Sequence, residues 1–164
     1  MRIDDGFGMT VSALAPRIAD LADRLSGPGR VLIANAPEGL DALLLAGLAT
    51  ARAPDPLLHV ARDDARMARL AAALGFFAPE AEVLTFPAWD CLPYDRVGPH
   101  RDILARRIDT LTRLIESAPA PGGRVVITTV NALLQRVPPG AAFAGRVLEG
   151  APGTRLELVA LTAS

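Results

Sequence analysis

The sequence predicts an α/β fold, a three-layer arrangement in which a parallel sheet is flanked by helices. Three observations lead there. Short, almost wholly apolar runs (VLIA, LLHVA, EVLTF, RVVITT) alternate with longer runs of helical periodicity, the pattern of strands buried on both faces and joined by helical crossovers. Gly- and Pro-rich breaks fall at the junctions, as in Gly27-Pro28-Gly29 and Ala53-Pro54-Asp55-Pro56. The 164 residues, 51% hydrophobic and 21% charged, suffice for one core and belong to the globular class.

Taken in order, Val11, Leu14, Ile18, Leu21 and Leu25 recur at helical spacing and predict a helix over Thr10–Leu25. Val31–Ala34 reads as a first strand, and Leu40–Arg52 as a helix apolar on several sides. Leu57–Ala61 follows as a strand. Asp63 caps a helix expected to run through Leu74 and to stop at Gly75. Glu82–Phe86 is the third strand. From His100 to Glu116 a helix is predicted with Ile103, Leu104, Ile108, Leu111 and Leu114 or Ile115 on its inner face, and with Asp102–Arg106 and Asp109–Arg113 outside. Arg124–Thr129 makes a fourth strand, followed by a short helix over Asn131–Arg136. At Val137-Pro138-Pro139-Gly140 the pattern gives way to short apolar pieces. A first domain is therefore placed over residues 1–138, and 139–164 as the beginning of a second.

The first strand-to-helix junction is where a nucleotide-binding α/β protein keeps its phosphate loop. A working loop reads GxxxxGK[ST], whose amides surround the phosphates, whose Lys reaches the terminal ones and whose hydroxyl holds magnesium. Here the window is Ala34-Asn35-Ala36-Pro37-Glu38-Gly39-Leu40-Asp41. Ala34 replaces the first Gly, Pro37 lacks an amide donor, Leu40 stands in the Lys position and Asp41 in the hydroxyl position. Glu38 and Asp41 suit a helix N-terminus but repel a triphosphate. All 17 basic residues are Arg, so no lysine elsewhere can substitute. An ordinary turn with acidic capping is the preferred reading over nucleotide binding, and no GxGxxG fingerprint occurs.

Other chemistries find little support. His59 and His100, the only histidines, have no ligand-spaced partners, so neither a metal site nor a bound cofactor is expected. Cys91 stands alone, which excludes an internal disulfide and favours an inert thiol over a nucleophile. Ser12, Ser26, Ser117 and Ser164 lack the GxSxG elbow. Arg62, Arg66 and Arg69 share a helix face, read as solvated and paired with Asp63 and Asp64. The net charge of -1 creates no global field toward nucleic acid. An N-terminus carrying Asp4 and Asp5, with no apolar run of membrane-spanning length, predicts a cytoplasmic protein without a membrane partner.

One segment stands out. FPAWDCLPYDRVGPHRD, Phe86–Asp102, contains the only Trp and the only Tyr and follows the third strand directly. It therefore lies at the carboxyl edge of the sheet, where α/β proteins place their ligands. Either it folds back and buries Trp89 and Tyr94 as a plug, the preferred reading, or it displays them to a partner.

FPAWDCLPYDRVGPHRDILARRIDTLTRL, followed by VVITTVNALLQRVPP, resembles the N-terminal region of the bacterial transcription-repair coupling factor family, Mfd. Members carry FP-x-W-(D/E)-x-LPYD, then PH, a helix with R-(I/L)-x-TL, and a strand ending V-N-(A/T)-L-(M/L)-Q-R-V. The resemblance covers roughly Val31 to Pro139. It implies a UvrB-like module on a P-loop NTPase scaffold that has lost its nucleotide-binding residues, with Phe86, Trp89, Leu92, Pro93, Tyr94, Asp95 and His100 as structural motif residues. The relative with a working site inserts a DNA-probing hairpin after the third strand; only Arg96-Val97-Gly98 separates LPYD from PH here, leaving no room for one.

The resemblance further implies a role in DNA repair. An intact family member is an ATP-dependent DNA translocase that displaces stalled RNA polymerase, with ATP and Mg bound in helicase-like motor domains downstream, and its UvrB-like module recruits UvrA. The UvrA-contacting surface would lie mainly in the second domain, begun near Pro139. This chain is thus expected to be a non-catalytic interaction module. The alternatives are a nucleotide-binding α/β domain with an atypical phosphate loop, or a small-molecule-binding domain using the Trp89–Tyr94 loop as a lid.

Overall fold

A computed structural model describes residues 11–26, 29–34, 37–91, 98–116, 118 and 120–142. The elements in chain order are helices α1 (Val11–Ser26) and α2 (Leu40–Arg52), strand β1 (Leu57–Ala61), helix α3 (Asp64–Phe77) and strand β2 (Glu82–Phe86). Helix α4 (Arg101–Glu116), strand β3 (Arg124–Thr129), the single turn α5 (Val130–Leu133) and a 3₁₀ turn at Gly140–Ala142 complete them.

The sheet is parallel with order β1-β3-β2. Leu58 and Leu84 both register with Val126, and Val60 and Phe86 both with Thr128. Partners in such a ladder point to the same face, and alternate residues to opposite faces. One face therefore presents Leu57, Ala61, Val83, Val125 and Ile127, which pack against Ala42, Ala46 and Ala49 of α2 and Met67, Leu70 and Leu74 of α3. α1 packs on the outside of α2. The other face presents Leu84, Phe86, Val126 and Thr128, and α4 covers it above β2. Buried on both sides and paired on both edges, β3 is buried at every residue, which is why RVVITT does not alternate.

The α/β class and the boundaries of α2, β1, β2 and β3 agree with the sequence expectation. Four details differ. Val31–Ala34 joins no ladder among the described residues, and Leu32 is 87% exposed. Its apolarity suits a central strand, but the centre belongs to β3, which already has a neighbour on each side. α3 continues through Gly75 to Phe77. The stop comes from Pro79, which forces Ala78 out of the helical region, and Ala78 is observed at φ -139 and ψ 67. α5 is one turn, not Asn131–Arg136.

The fourth difference matters most. The expected inner face of α4 is its inner face only in part: Ile103 and Leu111 are half-buried, but Leu104 and Ile108 are 41% and 40% exposed, whereas Arg107 and Thr110 are buried. A backbone group explains Thr110, whose hydroxyl donates to the Thr85 carbonyl at 2.9 Å. Thr128 does likewise to Phe86 at 2.8 Å. At the amino edge, Gly123 adopts φ 83 and a Cβ there would lie 2.2 Å from the Ala49 carbonyl oxygen, so the approach of β3 to α2 requires glycine. The expected second domain falls almost wholly outside the described residues.

Candidate functional site

The carboxyl edge of the sheet carries two clusters of polar side chains. The first surrounds the strand-to-helix junction before α2. Gly39 turns the chain with φ 96, a left-handed conformation that favours glycine, and the Leu40 amide donates to the Pro37 carbonyl at 3.1 Å. Asp41 then serves the helix start: its Oδ1 accepts from the Gly39 and Ala42 amides at 3.2 and 3.0 Å.

The carboxylates of this loop are answered by α3. Arg66 donates from Nη1 to Glu38 and from Nη2 to Asp41 Oδ2, and Arg69 donates from Nε to Glu38 at 3.0 Å. Asp63 positions them by capping α3, its Oδ1 accepting from the Arg66 amide at 2.7 Å. The expectation that Arg66 and Arg69 form a solvated face paired with Asp63 and Asp64 is corrected here, because both reach across to the loop; Arg62 alone pairs with Asp63, at 3.1 Å. Arg66 and Asp41 are largely shielded and form the stronger contact, while Arg69–Glu38 is open to solvent and contributes little.

Between these groups lies a cavity of about 420 Å³, bordered by Glu38, Asp41, His59, Arg66 and Arg69. Ala34, at the first-glycine position, is exposed. Leu40, at the lysine position, is half-buried and supplies no charge. His59 is half-buried on the α2–α3 side. Burial pushes its pKa below the ordinary 6.5; Asp41 works against that shift and Arg66 reinforces it. At neutral pH the cavity therefore holds a neutral imidazole beside internally compensated charges.

The second cluster is built on Arg107, only 2% exposed. Its guanidinium lies between two aromatic rings, 4.0 Å from the Phe86 centroid and 4.1 Å from that of Trp89. Nη1 donates to the Pro87 carbonyl at 2.6 Å and to Gln135 Oε1 at 3.1 Å. The Trp89 amide donates to the same Gln135 oxygen at 2.9 Å. No carboxylate pairs with Arg107 among the described residues. Burial lowers its pKa, but a guanidinium starts so high that it stays charged. Cation–π contacts and carbonyl oxygens compensate the lost hydration.

This knot ties the end of β2, the middle of α4 and the chain after α5 into one unit. Farther along, the His100 amide donates to Asp90 Oδ1 at 3.1 Å. His100 itself is exposed, 3.7 Å from Asp102. Leu92, Pro93, Tyr94 and Asp95 lie outside the described residues. Trp89 is half-buried, and its ring is engaged by Arg107 and not free on the surface. Cys91 is half-buried. No group of three or more His, Cys, Asp or Glu that could hold a metal occurs among the described residues, and no described helix is long and apolar enough to cross a membrane.

Sequence reasoning did not single out Arg107 or Gln135. Arg107 sits in a helix rich in exposed arginine, and its place between Phe86 and Trp89 is set by tertiary packing that the sequence does not show. Both fall within the two motif blocks, Arg107 opening R-(I/L)-x-TL and Gln135 lying in V-N-(A/T)-L-(M/L)-Q-R-V. The chain resembles the transcription-repair-coupling factors. It is 35% identical to that of Escherichia coli K12 over 106 residues, 65% of this chain and 9% of the relative. With the Mycobacterium bovis coupling factor it shares 36% over 129 residues, 76% of this chain and 10% of the relative. The Rickettsia bellii coupling factor is 36% identical over 81 residues, 49% and 7% respectively. The chain thus spans 7 to 10% of the length of these coupling factors. No family model matches it.

Two outcomes follow from the geometry. Arg107→Lys keeps the charge but loses the planar fork, and is expected to cost about 2 kcal/mol in urea unfolding and to shift the emission of Trp89, the only tryptophan, to longer wavelength. For His59, a folded-state pKa below 6.5 means that the unfolded chain takes up the proton first as pH falls. Its contribution to stability is complete above 6.5 and declines on acidification below it. His59→Gln should therefore flatten the fall in Tm between about pH 7 and pH 5.

Proposed function

We propose that this chain is part of a transcription-repair-coupling factor and acts there as a UvrB-like, non-catalytic module. Its task is to scaffold the segment that recruits UvrA in transcription-coupled nucleotide excision repair. In the intact protein, other domains would bind ATP and Mg, translocate on DNA and act on stalled RNA polymerase. The 1–138 unit is then a degenerate P-loop NTPase-like domain, and residues from 139 onward begin the UvrA-interacting domain.

The observation that carries this reading is the state of the loop before α2. A triphosphate and its metal require a lysine and a hydroxyl at positions held by Leu40 and Asp41. A leucine and a carboxylate stand there instead, Glu38 adds a second carboxylate to the loop, and both acids are already engaged by arginine. The Arg107 knot supports the same reading, because two of the family-motif side chains, Phe86 and Trp89, clamp a cation and are not presented to a ligand.

A second reading, an independent nucleotide-binding α/β domain, draws on the same cavity, since three arginines border it. Titration with ATP and Mg, followed by thermal shift, separates the two. The scaffold reading predicts an unchanged Tm through millimolar nucleotide, whereas a saturable rise would establish binding and overturn it.

A further inference from the structure

The loop before α2 is closed by an interaction that has the chemistry of anion binding. The Asp41 carboxylate receives two backbone amides, from Gly39 and Ala42, and a guanidinium, from Arg66. The Glu38 carboxylate receives the other arm of Arg66 together with Arg69. The Asp63 cap fixes the main chain of Arg66 at the start of α3, and the two loop carboxylates hold its guanidinium fork over the loop. Beside this cradle lies the 420 Å³ cavity. A phosphate oxygen would seek the same donors, in the same combination of amides and arginine fork.

We infer that Arg66 and Arg69 form a polyphosphate-binding cradle that the protein keeps occupied with its own Glu38 and Asp41 side chains. The inference rests on the scaffold reading and deepens it: polyphosphate would be excluded because the donors are already engaged, and not only because a lysine is missing. Three features carry it. Both arms of one guanidinium are committed to two different loop carboxylates. The contact spans 25 and 28 residues of sequence, so it docks α3 on the loop and is not a local surface pairing. The charges of Glu38, Asp41, Arg66 and Arg69 cancel, leaving an incoming anion no net attraction while the two carboxylates remain. Neutralising them turns the same cavity into one with two uncompensated arginines.

The test uses the 164-residue chain and three probes: inorganic pyrophosphate, tripolyphosphate and ATP with Mg. The wild type is compared with Glu38→Gln/Asp41→Asn, which keeps side-chain size while removing both charges, and with the same variant also carrying Arg66→Gln. Thermal shift and calorimetry read binding, and circular dichroism with Trp89 emission reads folding. The double variant should bind pyrophosphate at least about tenfold more tightly than the wild type, a difference of about 1.4 kcal/mol. The triple variant should lose that gain. A folded double variant no better than wild type overturns the inference and leaves the scaffold reading intact. Equal, saturable binding by wild type and double variant overturns the scaffold reading, and with it the self-occupied cradle. Should the double variant fail to fold, Glu38→Gln alone, which frees Arg69 and one arm of Arg66, decides the question by the same comparison.

Discussion

A buried guanidinium without a carboxylate partner among the described residues is the constraint around which this fold is arranged. Removing Arg107 from water costs several kcal/mol unless its surroundings replace the lost hydration. The replacements come from three places: the aromatic faces of Phe86 and Trp89, the Pro87 carbonyl and the Gln135 amide oxygen. None is available unless β2, α4 and the chain after α5 meet at the carboxyl edge. The cation thus imposes a geometry on the segment where an α/β protein would otherwise place a ligand-binding loop.

The same economy governs the neighbouring loop. There the unfavourable element is negative, two carboxylates beside a half-buried imidazole, and α3 supplies the answer through Arg66 and Arg69. Both clusters satisfy their charges internally. The similarity to transcription-repair-coupling factors extends over half to three quarters of the chain.

Much of the fold could be read from the sequence because its periodicities are clean. LLHVA, EVLTF and RVVITT carry the apolarity of a sheet covered by helices, and their boundaries follow from the Pro and Gly breaks around them. What escaped reading was decided by tertiary contacts. VLIA has the composition of a strand, but composition does not state whether a neighbour is free to pair with it. The apolar stripe of α4 suggested an inner face, yet Arg107 and Thr110 took that place because aromatic rings and a carbonyl awaited them. At the loop, Glu38 and Asp41 were legible as misfits for phosphate, whereas their partners, 25 to 31 residues away, were not, since helical spacing alone makes Arg66 and Arg69 look solvated.

The claim that the motif side chains act through one architectural knot is tested most directly by a double-mutant cycle between Arg107 and Gln135, using Arg107→Ala, Gln135→Ala and the pair in equilibrium unfolding. Because one amide oxygen serves both Arg107 and the Trp89 backbone, the two substitutions should fall short of additivity by at least about 1 kcal/mol. Additivity within about 0.5 kcal/mol would mean that the two residues act independently, and the knot would not be the element that holds this edge together.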